Sequence, residues 1–131
     1  MPKILEKLRI LMVDDGNDFQ TIVRKWLSPR YDHLGLTSGA DLKEYLEAAD
    51  PDLVIMDVRM PGPDGFQLCK RIRADNRFAD LPILFLTGCK EDADFLKNLD
   101  VGGTAYLTKP IERKQLLAMI QELVPGPVKV K

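Results

Sequence analysis

Cysteine is scarce in this sequence: Cys69 and Cys89 are the only two in 131 residues. Neither sits in a CxxC pair or beside a histidine-rich ligand spacing, which argues against a disulfide framework or a structural zinc site. The compartment expected from this is a reducing cytoplasm. Histidine is scarcer still, and His33 alone supplies no ligand set; it reads as a surface or strand-edge residue. Excess charge of either sign is missing too. Nineteen Lys+Arg against 20 Asp+Glu leave a net charge of -1, so the chain lacks the basic field of a general nucleic-acid binder. The Lys70-Arg71-Arg73 cluster then reads as a solvated helix face. Apolar runs such as Leu53 to Met56 and Ile83 to Leu86 fall far short of the roughly 20 residues that span a bilayer. Lys3, Glu6, Lys7 and Arg9 stand where a signal peptide has its apolar stretch. Membrane insertion and the secretory route are therefore not expected. The GxxxxGK[ST] loop of nucleotide enzymes is also missing, and no long internal repeat occurs.

What is present is alternation. With 45% hydrophobic and 30% charged residues, the chain has the size and mix of one globular domain. Arg9-Ile10-Leu11-Met12-Val13 predicts a strand that stops at Asp14-Asp15-Gly16. A helix follows from Asp18 or Phe19 to Leu27, with Phe19, Ile22, Val23, Trp26 and Leu27 on one face and Pro29 beyond its end. A weaker strand spans His33 to Thr37. Ser38-Gly39-Ala40-Asp41 then opens a second helix whose buried stripe is Leu42, Tyr45, Leu46 and Ala49. Leu53-Val54-Ile55-Met56 shows no polar alternation, as in a strand covered on both faces, and ends in Asp57. Val58 to Gly65, with two prolines and two glycines, reads as a loop. Phe66, Leu68, Cys69 and Ile72 mark a third helix, with Cys69 as core filler. Pro82 to Leu86 is another doubly buried run and ends in Thr87-Gly88. Glu91 to Leu99 reads as a helix ended by Gly102-Gly103, and Ala105 to Thr108 as a last strand before Lys109-Pro110. Glu112 to Val124 closes the count at five βα units, which implies an α/β fold with a parallel sheet and helices on both faces. The domain is expected to occupy 1–124, with 125–131 as a tail or linker stub.

In open parallel sheets, ligands bind beyond the carboxyl ends of the strands. The residues there are Asp14, Asp15, Asp57, Thr87 and Lys109. Converging carboxylates repel one another by about 4 kcal/mol per pair at 4 Å in an effective dielectric of 20, unless a cation intervenes. Magnesium, which takes few carboxylates, several waters and a phosphate oxygen, suits an incompletely caged acidic cluster better than calcium does. Lys109 adds a compact positive charge and Thr87 a hydroxyl. The parts make a metal-assisted phosphoryl site with a carboxylate available as nucleophile.

Motifs from four separated parts of the chain then agree with one family: Val13-Asp14-Asp15, Met56-Asp57 with Met60-Pro61 and Asp64-Gly65, Leu86-Thr87-Gly88, and Tyr106-Leu107-Thr108-Lys109-Pro110. From about Leu8 to Val124 the chain resembles the receiver domain of two-component response regulators. The resemblance implies a flavodoxin-like, doubly wound (βα)5 fold with five parallel strands in the order 2-1-3-4-5. It implies that Asp57 accepts a phosphoryl group from a sensor histidine kinase or a histidine phosphotransfer protein. It further implies that Mg2+ is held by Asp14, Asp15, Asp57 and the backbone carbonyl of Arg59, and that Lys109 and Thr87 bind the phosphoryl group. Thr87 and Tyr106 match the family's switch pair, and the Lys109-Pro110 bond is expected to be cis. The downstream partner would be a protein on the face made by the fourth helix, the last strand and the last helix, with no direct nucleic-acid contact and a monomer or weak dimer. Such a domain is not an enzyme beyond its own phosphotransfer and slow autodephosphorylation. Arg59 and Cys89 depart from common family choices beside the expected path of a hydrolytic water, and are expected to tune phosphoryl lifetime. Arg59 is long enough to hold a phosphoryl oxygen or to pair with an acid such as Glu91.

Rival readings fare worse on electrostatics. A flavin module on this fold needs a hydroxyl-rich phosphate loop after the first strand, where this chain presents acid. An aspartate-nucleophile phosphatase keeps a second acid two residues after its nucleophile, and that position is Arg59. A receiver cut from a larger regulator or hybrid kinase remains the alternative within the family, with Met1 and the full fifth unit leaning toward a free-standing protein.

Overall fold

Period-two alternation splits each central strand between two cores. In the computed structural model, which describes residues 5–98, 105–125 and 128–130, Ile10, Met12, Leu53, Ile55, Leu84 and Leu86 face one side of the sheet. Leu11, Val13, Val54, Met56, Ile83 and Phe85 face the other. Burial of each such side chain contributes on the order of 2 kcal/mol, and both faces must be covered to collect it.

The main sheet consists of β2 (Arg9–Val13), β3 (Asp32–Leu36), β4 (Leu53–Asp57), β5 (Ile83–Thr87) and β6 (Ala105–Thr108), in the order β3-β2-β4-β5-β6 and parallel throughout. Counting these strands from one to five, this is the expected 2-1-3-4-5. Helices α1 (Asn17–Leu27) and α5 (Arg113–Leu123) cover the first face through Val23, Leu27, Leu116 and Ile120. Helices α2 (Leu42–Ala49) and α3 (Gly65–Arg73) cover the second through Leu42, Leu46, Leu68, Cys69 and Ile72. Helix α4 (Lys90–Asn98) reaches that side through Phe95, whose ring stacks at 4.9 Å on Phe66, itself 5.5 Å from Phe85. Among the described residues no helix is long and apolar enough to cross a membrane.

Several expectations need adjustment. Ile22 and Tyr45 are 44% and 42% exposed. The buried stripe of α1 runs through Gln20, Val23 and Leu27, and that of α2 through Leu42 and Leu46. A neighbouring position lies about 100° around the helix and turns outward. Leu99 and Gly102-Gly103, read as the end of the fourth helix, lie outside the described residues. A second sheet escaped the sequence reading. Within the stretch read as a tail or linker stub, β7 (Val128–Val130) pairs antiparallel with β1 (Leu5–Lys7), Leu5 opposite Val130. Three residues per strand carry too little periodicity to announce a strand, and their pairing joins positions far apart in sequence.

Candidate functional site

Every strand of the central pair ends in acid, and the parallel register delivers those acids to one edge. Val13 pairs with Met56 across β2 and β4, so Asp14 and Asp57 emerge side by side. Both are buried, at 2% and 5% exposure, while Asp15 is exposed. Carboxylate oxygens of Asp14, Asp15 and Asp57 all lie within 4.8 Å of one another. From the end of β6, Lys109 reaches across the strand tips, its Nζ 3.2 Å from Asp57 Oδ1 and 3.6 Å from Asp14 Oδ2. Burial raises the Asp57 carboxyl above its ordinary range; the adjacent Asp14 and Asp15 charges push the same way, and Lys109 pulls against them.

Local chemistry fixes these positions. Asp14 Oδ1 accepts the Gly16 N–H at 2.9 Å, which leaves its Oδ2 buried without a hydrogen-bond partner. A buried carboxylate oxygen in that state, beside two further hard oxygen donors, fits a divalent cation such as Mg2+. The loop after Asp57 returns against the end of β4 because residue 65 is glycine. A Cβ there would lie 2.4 Å from the Asp57 backbone oxygen and 2.9 Å from Val58 Cα. Gly65 N–H instead donates to Val58 O at 2.8 Å. Asp64 caps α3 in a reciprocal box, accepting from Gln67 N at 2.9 Å while Gln67 Oε1 accepts from Asp64 N at 2.8 Å.

The remaining expected residues divide. Thr87 is buried at the end of β5, but its hydroxyl engages its own turn, accepting from Cys89 N at 3.1 Å and standing 3.3 Å from Cys89 O. Tyr106 is half-buried and packs beside the core of the second face. The Lys109-Pro110 bond is cis, as is Ser28-Pro29, which the sequence did not suggest. Arg59 does not meet Glu91. Its Nε and NH2 donate to Asp92 at 2.7 Å each, a two-pronged pair that ties the loop after Asp57 to the first turn of α4. Glu91 instead accepts from the Cys89 thiol at 2.9 Å, which holds its carboxyl below the usual range, with the Arg59 charge adding to the effect.

Two residues were missed. Asp92, on α4, is buried to 4% exposure beneath Arg59. Gln20, equally hidden on α1, directs its amide nitrogen at the backbone oxygens of Met12, Asp14 and Leu36, at 3.1, 3.2 and 3.0 Å. It thereby ties the end of β2 to the edge strand β3. The signal for it existed: Gln20, Val23 and Leu27 share one face at spacings of three and four, so a polar residue stands on the buried stripe.

Comparison with known proteins agrees with this geometry. Residues 10–121 match the profile of the response regulator receiver domain. The transcriptional regulatory protein GltR of Pseudomonas aeruginosa is 36% identical over 116 residues, which cover 88% of this chain and 48% of that protein. The DNA-binding dual master transcriptional regulator RpaA of Synechocystis is 34% identical, with the same coverage of 88% and 48%. The chain thus spans about half the length of the curated relatives it matches. Among solved structures, the chemotaxis protein CheY4 of Vibrio cholerae superposes with a TM-score of 0.82 at 28% identity, covering 90% of this chain and 99% of that one. A putative response regulator from Chloroflexus aurantiacus gives 0.83 at 29% identity, covering 92% and 100%. Fold, strand-end acids and matches converge: the chain belongs to the response regulator receiver domains, the signal-accepting modules of two-component phosphorelays.

Proposed function

We propose that Asp57 is the phosphoacceptor of this receiver domain. The observation that carries the reading is the single edge where Lys109 gathers Asp57 and Asp14, with Asp15 alongside. An Asp57 oxygen attacks the phosphorus of a phosphohistidine on a sensor kinase or phosphotransfer protein. The phosphorus–nitrogen bond breaks, and the departing imidazole nitrogen takes up a proton. Asp14, Asp15, Asp57 and the Arg59 backbone carbonyl would hold Mg2+, which when bound would neutralise the acids and the incoming phosphoryl charge. Lys109 exchanges its Asp57 contact for a phosphoryl oxygen, to which its ammonium stays close.

Thr87 serves as the sensor of that group. Its hydroxyl leaves the Cys89 turn for a phosphoryl oxygen, Tyr106 turns inward behind it, and the face made by α4, β6 and α5 changes for a downstream protein. A full reversal between two states takes about 5.5 kcal/mol of differential binding, more than one hydroxyl hydrogen bond provides, so Lys109 and the metal share the load. Arg59 and Cys89 border the water that hydrolyses the phosphoryl group, and Arg59, held by Asp92, screens it. The domain catalyses only its own phosphorylation and slow dephosphorylation, works in the cytoplasm as a monomer or weak dimer, and has its five βα units within 1–124, with β7 beyond them returning to pair with β1.

The test is intact-mass measurement after incubation with a small phosphodonor and Mg2+. One phosphoryl group should appear, and Asp57→Asn or chelation should abolish it. Persistent labelling of Asp57→Asn overturns the assignment.

A further inference from the structure

Lys109 has a neighbour that carboxylate chemistry does not account for. Its Nζ stands 5.4 Å from the ring centroid of Phe19, a half-buried residue in the first turn of α1. That ring is braced in turn: Trp26, two helical turns on, meets it edge to face, with centroids 6.5 Å apart and planes at 86°.

We propose that Phe19 is a positioning residue for Lys109, its aromatic face seating the ammonium over the acid cluster. This rests on the reading of Asp57 as phosphoacceptor. A lysine has four rotatable side-chain bonds, and the Lys109 side chain is 33% exposed, so its position follows from what it touches. Carboxylates alone are a poor seat for an ammonium that must change partners. Their pull weakens as soon as other cations neutralise them. The ring quadrupole attracts the cation without carrying a formal charge or accepting a proton, so that pull persists whatever the ionic state of the acids. It also leaves the positive charge of Lys109 undiminished for a phosphoryl oxygen. Leucine at position 19 fills similar space but has no quadrupole. Trp26 sets the ring plane, which decides whether a face or an edge meets the ammonium.

The experiment replaces Phe19 in the full chain with mono-, di- and trifluorophenylalanine, which drain the ring face of negative charge with little change of size. Two quantities are read. One is the rate of Asp57 labelling by acetyl phosphate at saturating Mg2+. The other is the ring-current shift of the Lys109 ε-methylene protons, taken without metal or phosphodonor. The rate should fall stepwise by about two- to fivefold in all, with the ε-proton shift relaxing in parallel; Phe19→Leu should match the end of the series and Phe19→Trp the wild type. A flat rate overturns the proposal, as does a falling rate with an unmoved ε-proton shift, which marks a packing effect. If wild-type Asp57 takes no label at all, the phosphoacceptor reading fails by itself. The shift series then decides: dependence on fluorination supports the Phe19 seat, and a flat series overturns it.

Discussion

Two aspartates of this chain meet cations and end in opposite states. Asp75, at the turn after α3, takes its cation on generous terms. Arg77 wraps it with bonds of 2.6 to 3.3 Å, its own N–H adds one at 3.0 Å, and the carboxyl is drawn down to about 2. Asp57 has Lys109 at 3.2 Å and is nonetheless pushed upward, by burial first and by Asp14 next. The difference is solvent and company. At the exposed corner, water screens every charge, and the several N–H donors of Arg77 reach Asp75 at 2.6 Å and Glu47 at 2.9 Å without either acid being buried. At the strand ends, two buried acids share one ammonium. Local rules are satisfied where the chain only has to fold, and are violated at the strand ends, where the phosphoacceptor site is proposed.

Removing the shared ammonium should break this contrast most severely. Lys109→Met leaves Asp14 and Asp57 buried together without a cation, and should lower stability in metal-free urea titrations by about 2 kcal/mol, less than for a fully enclosed pair because Lys109 is part-exposed. The double variant with Asp57→Asn should recover most of the loss. If it does not, the two acids are not in conflict.

Asp57→Asn alone should stabilise the fold. The folded carboxyl ionises above its ordinary value of 3.8, so between those two points the native state holds more protons than the unfolded one, and stability falls as pH rises through that window. The asparagine variant should therefore melt a few degrees higher at neutral pH, with the gain shrinking to nothing below about pH 4. A gain that persists in acid points to a cause other than charge.

A third, kinetic effect sharpens the picture at the boundary of the site. Arg59→Ala should shorten the aspartyl-phosphate lifetime several-fold, measured with excess Mg2+ and no kinase or phosphatase. Asp92→Asn should do the same if the bidentate tether is what holds the guanidinium in place. Unchanged decay in both variants removes Arg59 from the path of the water.

The smallest effect belongs to the exposed corner. Because Asp75 is depressed in the folded state, its contribution is present above its ordinary value of 3.8 and is lost as pH falls toward about 2. Asp75→Asn should shift the melting temperature only slightly at neutral pH, and high salt should erase the difference. A loss comparable to that of Lys109→Met would mean the corner is structural in a way that solvent screening forbids.

Much of this was legible beforehand because the relevant signals are local. Runs such as Leu53 to Met56 identify doubly covered strands without reference to the rest of the molecule, and an acid directly after such a run must emerge at a strand end. The illegible parts all depend on how elements sit against one another. The length of Arg59 suits a phosphoryl oxygen or an acid such as Glu91, yet it meets Asp92, because one residue along a helix is about 100° around it and no pattern in the chain sets the roll of α4 over the site. Ile22 and Tyr45 turned outward for the same reason.

Period and composition act over a few neighbours at a time, and they suffice for the five βα units, the covering of both faces of the sheet and the identity of the residues at the strand ends. Which charges face which depends instead on packing. The parallel register set Asp14 beside Asp57, the path of the chain after β6 brought Lys109 over both, and the roll of α1 turned Gln20 inward and Phe19 toward the ammonium. Electrostatic partnership depends on separations of a few ångströms between residues some 40 to 95 positions apart in the chain, and no local pattern encodes distances of that kind.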